Sequence, residues 1–142
     1  MSAGLLLDTH IALWLDNGSQ KLRRTTRARI DECWHGGGTI YLSAVSVWEI
    51  ALLLDQGYVE LDVPIEEWVG RFVERPGVSG LPLGHVAASR AYLLRHFEHR
   101  DPADRLLIAS AIDADLPLVT YDDRIRRFAR THGRQYRFAS VA

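Results

Sequence analysis

Gly4-Leu5-Leu6-Leu7-Asp8-Thr9-His10-Ile11-Ala12-Leu13-Trp14-Leu15 is the stretch that decides the fold. Leu5-Leu6-Leu7 is a short continuous apolar run, the pattern of a strand covered on both faces. Asp8 or Thr9 can cap the helix that follows, in which Ile11, Trp14 and Leu15 fall near helical spacing. A strand of this kind leading straight into a helix is the opening unit of a parallel sheet with helical covers.

The same alternation continues downstream. Residues 25–35 read as a helix stopped by Gly36-Gly37-Gly38, and Thr39-Ile40-Tyr41-Leu42-Ser43 as a strand. Ser46-Val47-Trp48-Glu49 opens an apolar helix to about Gln56, with Gly57 as its stop. Pro64 begins another, whose Ile65, Trp68, Val69, Phe72 and Val73 line one face. Residues 78–83 form a weak strand and 85–97 a helix; Asp101-Pro102 then starts the next, with proline at its favoured first position. Residues 116–121 read as a strand, 123–132 as a helix ended by Gly133, and 136–141 as a last strand. The pattern specifies an α/β fold with a parallel sheet covered on both faces. At 142 residues the chain is expected to be a single domain, 1–142.

Composition is that of an ordinary globular protein, and the net charge of -1 does not by itself call for a nucleic-acid partner. The distribution says more. Residues 124–142 hold Arg124, Arg126, Arg127, Arg130, Arg134 and Arg137 and no acid, so a basic end is joined to an acidic body. A solvated helix face is the plainer reading of most of these arginines. Cys33 is the only cysteine, which fits a reducing cytosol. The N-terminus lacks a basic region before its apolar stretch, and no run is long enough to span a bilayer. A cytoplasmic location without membrane attachment is therefore expected.

Four acids stand beside strongly apolar sequence: Asp8, Glu49, Asp104 and Asp122. Taken singly, each has a structural explanation. Asp8 and Asp122 can cap helices, Ser46-x-x-Glu49 fits a capping box, and Asp101-x-x-Asp104 resembles one. Capping does not require four acids on one rim, however. Asp8 and Asp122 end strands, and Glu49 and Asp104 lie in the opening turns of helices, so all belong to the carboxyl edge where α/β sheets bind ligands. Helical spacing puts Asp104 on one face with Leu107, Ile108 and Ala111, leaning toward the sheet. Two carboxylates about 5 Å apart repel by roughly 3 kcal/mol at an effective dielectric of ~20. Oxygen donors alone suit Mg²⁺ or Mn²⁺ rather than zinc.

The segments Leu5-Leu6-Leu7-Asp8-Thr9-His10, Ser46-Val47-Trp48-Glu49-Ile50-Ala51, Asp101-Pro102-x-Asp104-Arg105-Leu106-Leu107-Ile108-Ala109 and Leu118-Val119-Thr120-Tyr121-Asp122 resemble, in order and spacing, the motifs of PIN-domain ribonucleases. The nearest resemblance is to VapC-type toxins of bacterial toxin–antitoxin pairs, and it covers essentially the whole chain. It implies a three-layer α/β/α sandwich and a Mg²⁺- or Mn²⁺-dependent endoribonuclease. Asp8 and Asp104 match the direct metal ligands, Glu49 and Asp122 the supporting acids, and Asp101 a possible fifth. It also implies an RNA substrate, a small antitoxin partner and a homodimer. A lysine that often follows the Trp-Glu-Ile-Ala segment is missing here, where the run reads Leu52-Leu53-Leu54.

Other readings are weaker. A receiver-type signalling domain needs a late lysine, and Lys21 is the only one. An aspartyl-phosphate phosphatase would carry Asp-x-Asp where Asp8-Thr9-His10 stands. A silent binding module gives no reason for four acids in apolar sequence, and a housekeeping nuclease would differ only in lacking an antitoxin. His96-x-x-His99 reads as a surface pair, His10 as locally packed, and the glycine triplet lies on the wrong side of its strand for a phosphate loop. Trp48 and Trp68 read as core or interface residues, and the Trp68–Phe72 face as a candidate docking surface.

Overall fold

The computed structural model describes residues 4–142. Strands β1 (Gly4–Leu7), β2 (Thr39–Ser43), β3 (Val78–Leu81), β4 (Leu118–Val119) and β5 (Ser140–Val141) form one sheet in the order β3-β2-β1-β4-β5. Every neighbouring pair is parallel. The helices are α1 (Thr9–Asn17), α2 (Arg24–His35), α3 (Ala44–Asp55), α4 (Ile65–Val73), α5 (His85–Tyr92), α6 (Pro102–Ala114) and α7 (Asp123–Tyr136). None of the described helices is long and apolar enough to cross a membrane.

The two-sided burial expected of Leu5-Leu6-Leu7 follows from the period-two alternation of a strand. Leu5 and Leu7 pack on one face with Ile11, Ile30, Ile50, Trp68 and Phe72, drawn from α1 to α4. Leu6 points the other way, into Leu107, Ile108, Ile125 and Phe128 of α6 and α7. In β4, Leu118 joins the second cluster and Val119 the first. Burying each such leucine contributes roughly 2 kcal/mol.

Strand order positions the site. β2 and β3 extend the sheet to one side of β1, and β4 and β5 to the other. The chain thus reverses its direction of growth between β1 and β4, and a crevice opens beyond their carboxyl ends. Asp8 follows β1 directly, and Thr120-Tyr121-Asp122 follows β4.

Several boundaries differ from expectation, each for a visible reason. The expected capping box at Ser46 does not form: α3 begins at Ala44, and the side chain of Ser43 accepts from the Val45 N–H at 3.0 Å. α5 stops at Tyr92 rather than at residue 97. Its last carbonyls and those of the next segment turn to one guanidinium, that of Arg105, which donates to the carbonyls of Ala91, Tyr92, Leu94, Phe97 and His99 at 2.6–3.2 Å. Gly133 does not end α7, which continues to Tyr136. That glycine admits a close backbone approach: a Cβ there would lie 2.6 Å from the Phe138 carbonyl oxygen. Arg137, at φ 57°, closes the helix instead. The Trp68–Phe72 face is not a free docking surface, because both side chains are buried and Trp68 donates to Asp16 at 2.9 Å. Trp48 is exposed, at 59%, and so is Trp34, at 43%.

Candidate active site at the switch point

Asp8 caps α1, its Oδ1 accepting from the Thr9 N–H at 2.7 Å. Its other oxygen accepts from the Thr120 hydroxyl at 2.6 Å, and its own N–H donates to the Val119 carbonyl at 2.9 Å. Both links cross from β1 to β4, so sheet pairing itself aims the Asp8 carboxylate into the crevice.

Glu49 reaches the same place from α3. It accepts a hydrogen bond from the buried Thr9 hydroxyl, which also lies 2.9 Å from Ser46 Oγ. Thr9 has one hydroxyl proton, so donation to Glu49 leaves it to accept from Ser46. Thr9 thereby holds Glu49 beside Asp8.

Asp104, on the first turn of α6, is only 8% exposed. Leu107, Ile108 and Ala111 are buried on the same face, as its helical spacing required. Asp101 caps α6, accepting from Ala103 N–H at 2.9 Å and from Asp104 N–H at 3.4 Å. Asp122 caps α7 through the N–H groups of Arg124 and Ile125 at 2.9 and 3.2 Å. Arg124 joins the last two acids, with its Nη2 3.3 Å from Asp122 and 3.5 Å from Asp104.

The electrostatics report the same convergence. Burial pushes the Asp8 carboxyl up, against the hydrogen bonds from Thr120 and Thr9 that favour its charge. Burial also raises Glu49, with Thr9 opposing and the charges of Asp8 and Asp101 adding to the rise. Asp104 is pushed up to about 7, first by burial and then by the charges of Asp101, Asp122, Asp8 and Glu49. Burial pushes Asp122 up as well, but its hydrogen bonds with Arg124 and Ile125 outweigh that and hold its carboxyl below the usual range. A buried carboxyl with four acids acting on it is a place where a cation would be held.

The donor set is entirely oxygen, which fits a hard divalent cation of the Mg²⁺ or Mn²⁺ kind. Among the described residues, no three Asp, Glu, His or Cys side chains are gathered closely enough to hold an ion as they stand. The acids whose charges act on one another at this rim are Asp104, Asp101, Asp122, Asp8 and Glu49, and these are the residues that could hold an ion. His10 is exposed and tilts against Trp14, with ring centroids 5.6 Å apart. His96 and His99 do not share a helix: His96 meets the Tyr136 hydroxyl at 2.7 Å, and His99 meets Arg124 at 2.8 Å. Leu53 brings no cation to the rim.

Three participants escaped the sequence reading. Thr120 directly follows β4 and Thr9 is the second residue after β1, positions that mark the rim as the acids do. Arg124 sits two residues after Asp122, but nothing in its spacing separates it from the other arginines of α7.

An all-parallel α/β protein with carboxylates gathered at the switch point of its sheet is the class that fold and site define. Residues 5–131 match the PIN domain family, and the chain belongs to that family. It is 33% identical over 122 residues to Ribonuclease VapC22 of Mycobacterium tuberculosis (strain ATCC 25618 / H37Rv), covering 86% of this chain and 89% of that protein. Its fold is similar to that of VapBC2 from Rickettsia felis, solved bound to a DNA fragment from their promoter, with TM-score 0.66, 16% identity and 97% of each chain covered. It is also similar to a toxin–antitoxin complex from Klebsiella pneumoniae, with TM-score 0.61, 18% identity, and 97% of this chain and 96% of that one covered.

Proposed function

We propose that this chain is a metal-dependent endoribonuclease, hydrolysing RNA phosphodiester bonds with Mg²⁺ or Mn²⁺, and that it is the toxin of a toxin–antitoxin pair. The observation that carries the reading is the setting of Asp104, whose carboxyl is pushed up to about 7 first by burial and then by the charges of Asp101, Asp122, Asp8 and Glu49 on the same rim. Membership of the PIN domain family and the 33% identity to a ribonuclease support it.

In this reading Asp8 and Asp104 would hold the ion, and Glu49 and Asp122 would support it or orient the attacking water. Asp101 is a fifth, flanking acid. A bound divalent cation supplies an activated water and charge stabilisation at the phosphate. The chain's own residues prepare the ground. Thr120 and the Thr9 N–H hold Asp8 in one orientation, and Thr9 fixes Glu49 next to it. Arg124 balances Asp104 and Asp122 and keeps a cation at the edge where an anionic strand arrives. Hydrolysis by water leaves a 5′-phosphate and a 3′-hydroxyl.

The partners follow from the same reading. A small antitoxin covers the acidic crevice and binds operator DNA, and the protein acts in the cytoplasm. A homodimer is supported by the exposed Trp48 and Leu52 of α3 and Val86 of α5, since both helices pack on α6.

The test is cleavage of structured RNA by the purified chain with Mg²⁺, with EDTA, and with Asp8→Asn or Asp104→Asn. Cleavage lost under chelation and in both variants is the expected result; cleavage surviving all three sinks the mechanism. The toxin role is tested by expression with and without the neighbouring small reading frame, and harmless expression in its absence counts against it.

A further inference from the structure

α7 leaves the acidic rim carrying arginines and no carboxylate after Asp123. Along one side of it runs a groove of about 280 Å³, walled on the far side by residues 96–99. Arg124, Arg127 and Thr131 line the helix side at successive helical spacings. Between Arg124 and Thr131 the helix rises about 10 Å. His96, His99 and His132 also line it, and Glu98 is its one carboxylate.

Two features make this groove more than a solvated face. It is continuous with the carboxylates, because Arg124 contacts Asp104 and Asp122 on one side and His99, at 2.8 Å, on the other. And its cation has no internal use: among the described residues, Arg127 has no carboxylate within ion-pair distance. The wall is rigid as well. The Arg105 guanidinium pins the carbonyls of Phe97 and His99, and the His96 ring lies 4.5 Å from that of His132 with its Nδ1 tied to Tyr136. An exposed cation beside flat ring faces is the combination that holds single-stranded nucleic acid, charge for the backbone and rings for the bases.

We infer that this groove is the subsite for the RNA strand adjoining the scissile phosphate, with Arg127 as its phosphate anchor and the His96–His132 pair as its base platform. The inference rests on the ribonuclease reading for the identity of the polymer. RNA is favoured over an acidic peptide because the His96–His132 rings offer a stacking surface that bases use and a carboxylate chain does not. A strand drawn in by Arg127 places its next phosphate toward Arg124 and the acids.

The experiment measures binding apart from cleavage. The probe is a fluorescein-labelled single-stranded RNA 12-mer of mixed sequence, titrated by anisotropy onto the Asp8→Asn full-length chain over a range of salt concentrations. Adding Arg127→Gln should weaken binding about fivefold and lower the slope of log affinity against log salt by about 0.7, the value for one lost phosphate contact on a single strand. Adding His96→Ala should weaken binding without changing that slope. Arg24→Gln, at an exposed position of α2, should change neither. In the Asp8-intact chain, Arg127→Gln should raise KM and leave kcat within twofold. Affinity and slope unchanged by Arg127→Gln, in a chain that still cleaves RNA, overturn the subsite and leave the ribonuclease standing. Reduced binding in a chain that never cleaves RNA removes the ribonuclease and, with it, the groove's place beside a scissile phosphate, leaving only an RNA-binding groove. No binding by the Asp8→Asn parent, or a polyglutamate peptide outcompeting the RNA, overturns the inference.

Discussion

At the scale of single residues, Asp104 is where structure and chemistry meet. Its carboxyl is buried on the face of α6 that looks to the sheet, yet four other acids act on it. Because its folded-state value, about 7, lies above the ordinary carboxylate value, the folded protein holds a proton there that the unfolded chain releases. The Asp104 contribution to stability is therefore greatest below about pH 4 and declines as pH rises toward 7. Asp104→Asn should accordingly stabilise the protein in EDTA by about 1–2 kcal/mol at pH 8, after discount for solvent screening of the flanking acids. The gain should vanish near pH 4. Thermal unfolding of both chains from pH 4 to 8 checks this, and a difference that grows toward acid pH would contradict it. Asp8, Glu49, Asp104 and Asp122 were legible in the sequence because a charge in an apolar run needs a reason. Thr9 and Thr120 were not, since a threonine after a strand is ordinary until a carboxylate is found facing it.

At the scale of elements, the segment between α5 and α6 depends on one side chain. Sequence periodicity carried α5 on to residue 97, but Arg105 takes the last α5 carbonyls, of Ala91 and Tyr92, and those of Leu94, Phe97 and His99 beyond the helix. Arg105→Lys keeps the charge and loses the planar fork. It should cost about 2–3 kcal/mol and leave amides 94–101 exchanging faster, as read by hydrogen exchange. Unchanged protection there would show that the loop stands without its clamp. Glycines in two helices should respond oppositely. Gly133→Ala sets a methyl against the Phe138 carbonyl and should destabilise by about 1–3 kcal/mol. A Cβ at Gly70 of α4 meets nothing within 4 Å, so Gly70→Ala should stabilise by up to about 1 kcal/mol. Chemical denaturation of the pair decides. Read locally, Gly133 looks like a helix stop. Its real reason is the cap that follows: Arg137, in the left-handed region, turns the chain back so that the Phe138 N–H donates to the Gly133 carbonyl and the Phe138 carbonyl lies against Gly133 itself.

At the scale of the whole molecule, surplus negative charge at the switch point ties stability to cations. Under the proposed function, 10 mM Mg²⁺ should raise the Tm of the wild-type chain at pH 8, and the increment should largely disappear in Asp104→Asn. An ion that binds only the folded state at a hundred times its Kd stabilises by about 2.7 kcal/mol. Differential scanning fluorimetry with and without Mg²⁺ reads this directly, and equal increments in both chains would place the ion elsewhere. By itself, the sequence determined the alternation of strands and helices, the two-sided burial of Leu5-Leu6-Leu7 and the edge on which the acids lie. Those are properties of local periodicity, which adjacent residues encode. Only the tertiary structure decided that β4 pairs beside β1, that Thr120 reaches Asp8 across that pairing, and that Arg124 alone among the α7 arginines meets the acids. Strand order and the direction of one guanidinium depend on contacts between residues far apart in the chain, and no local pattern carries them.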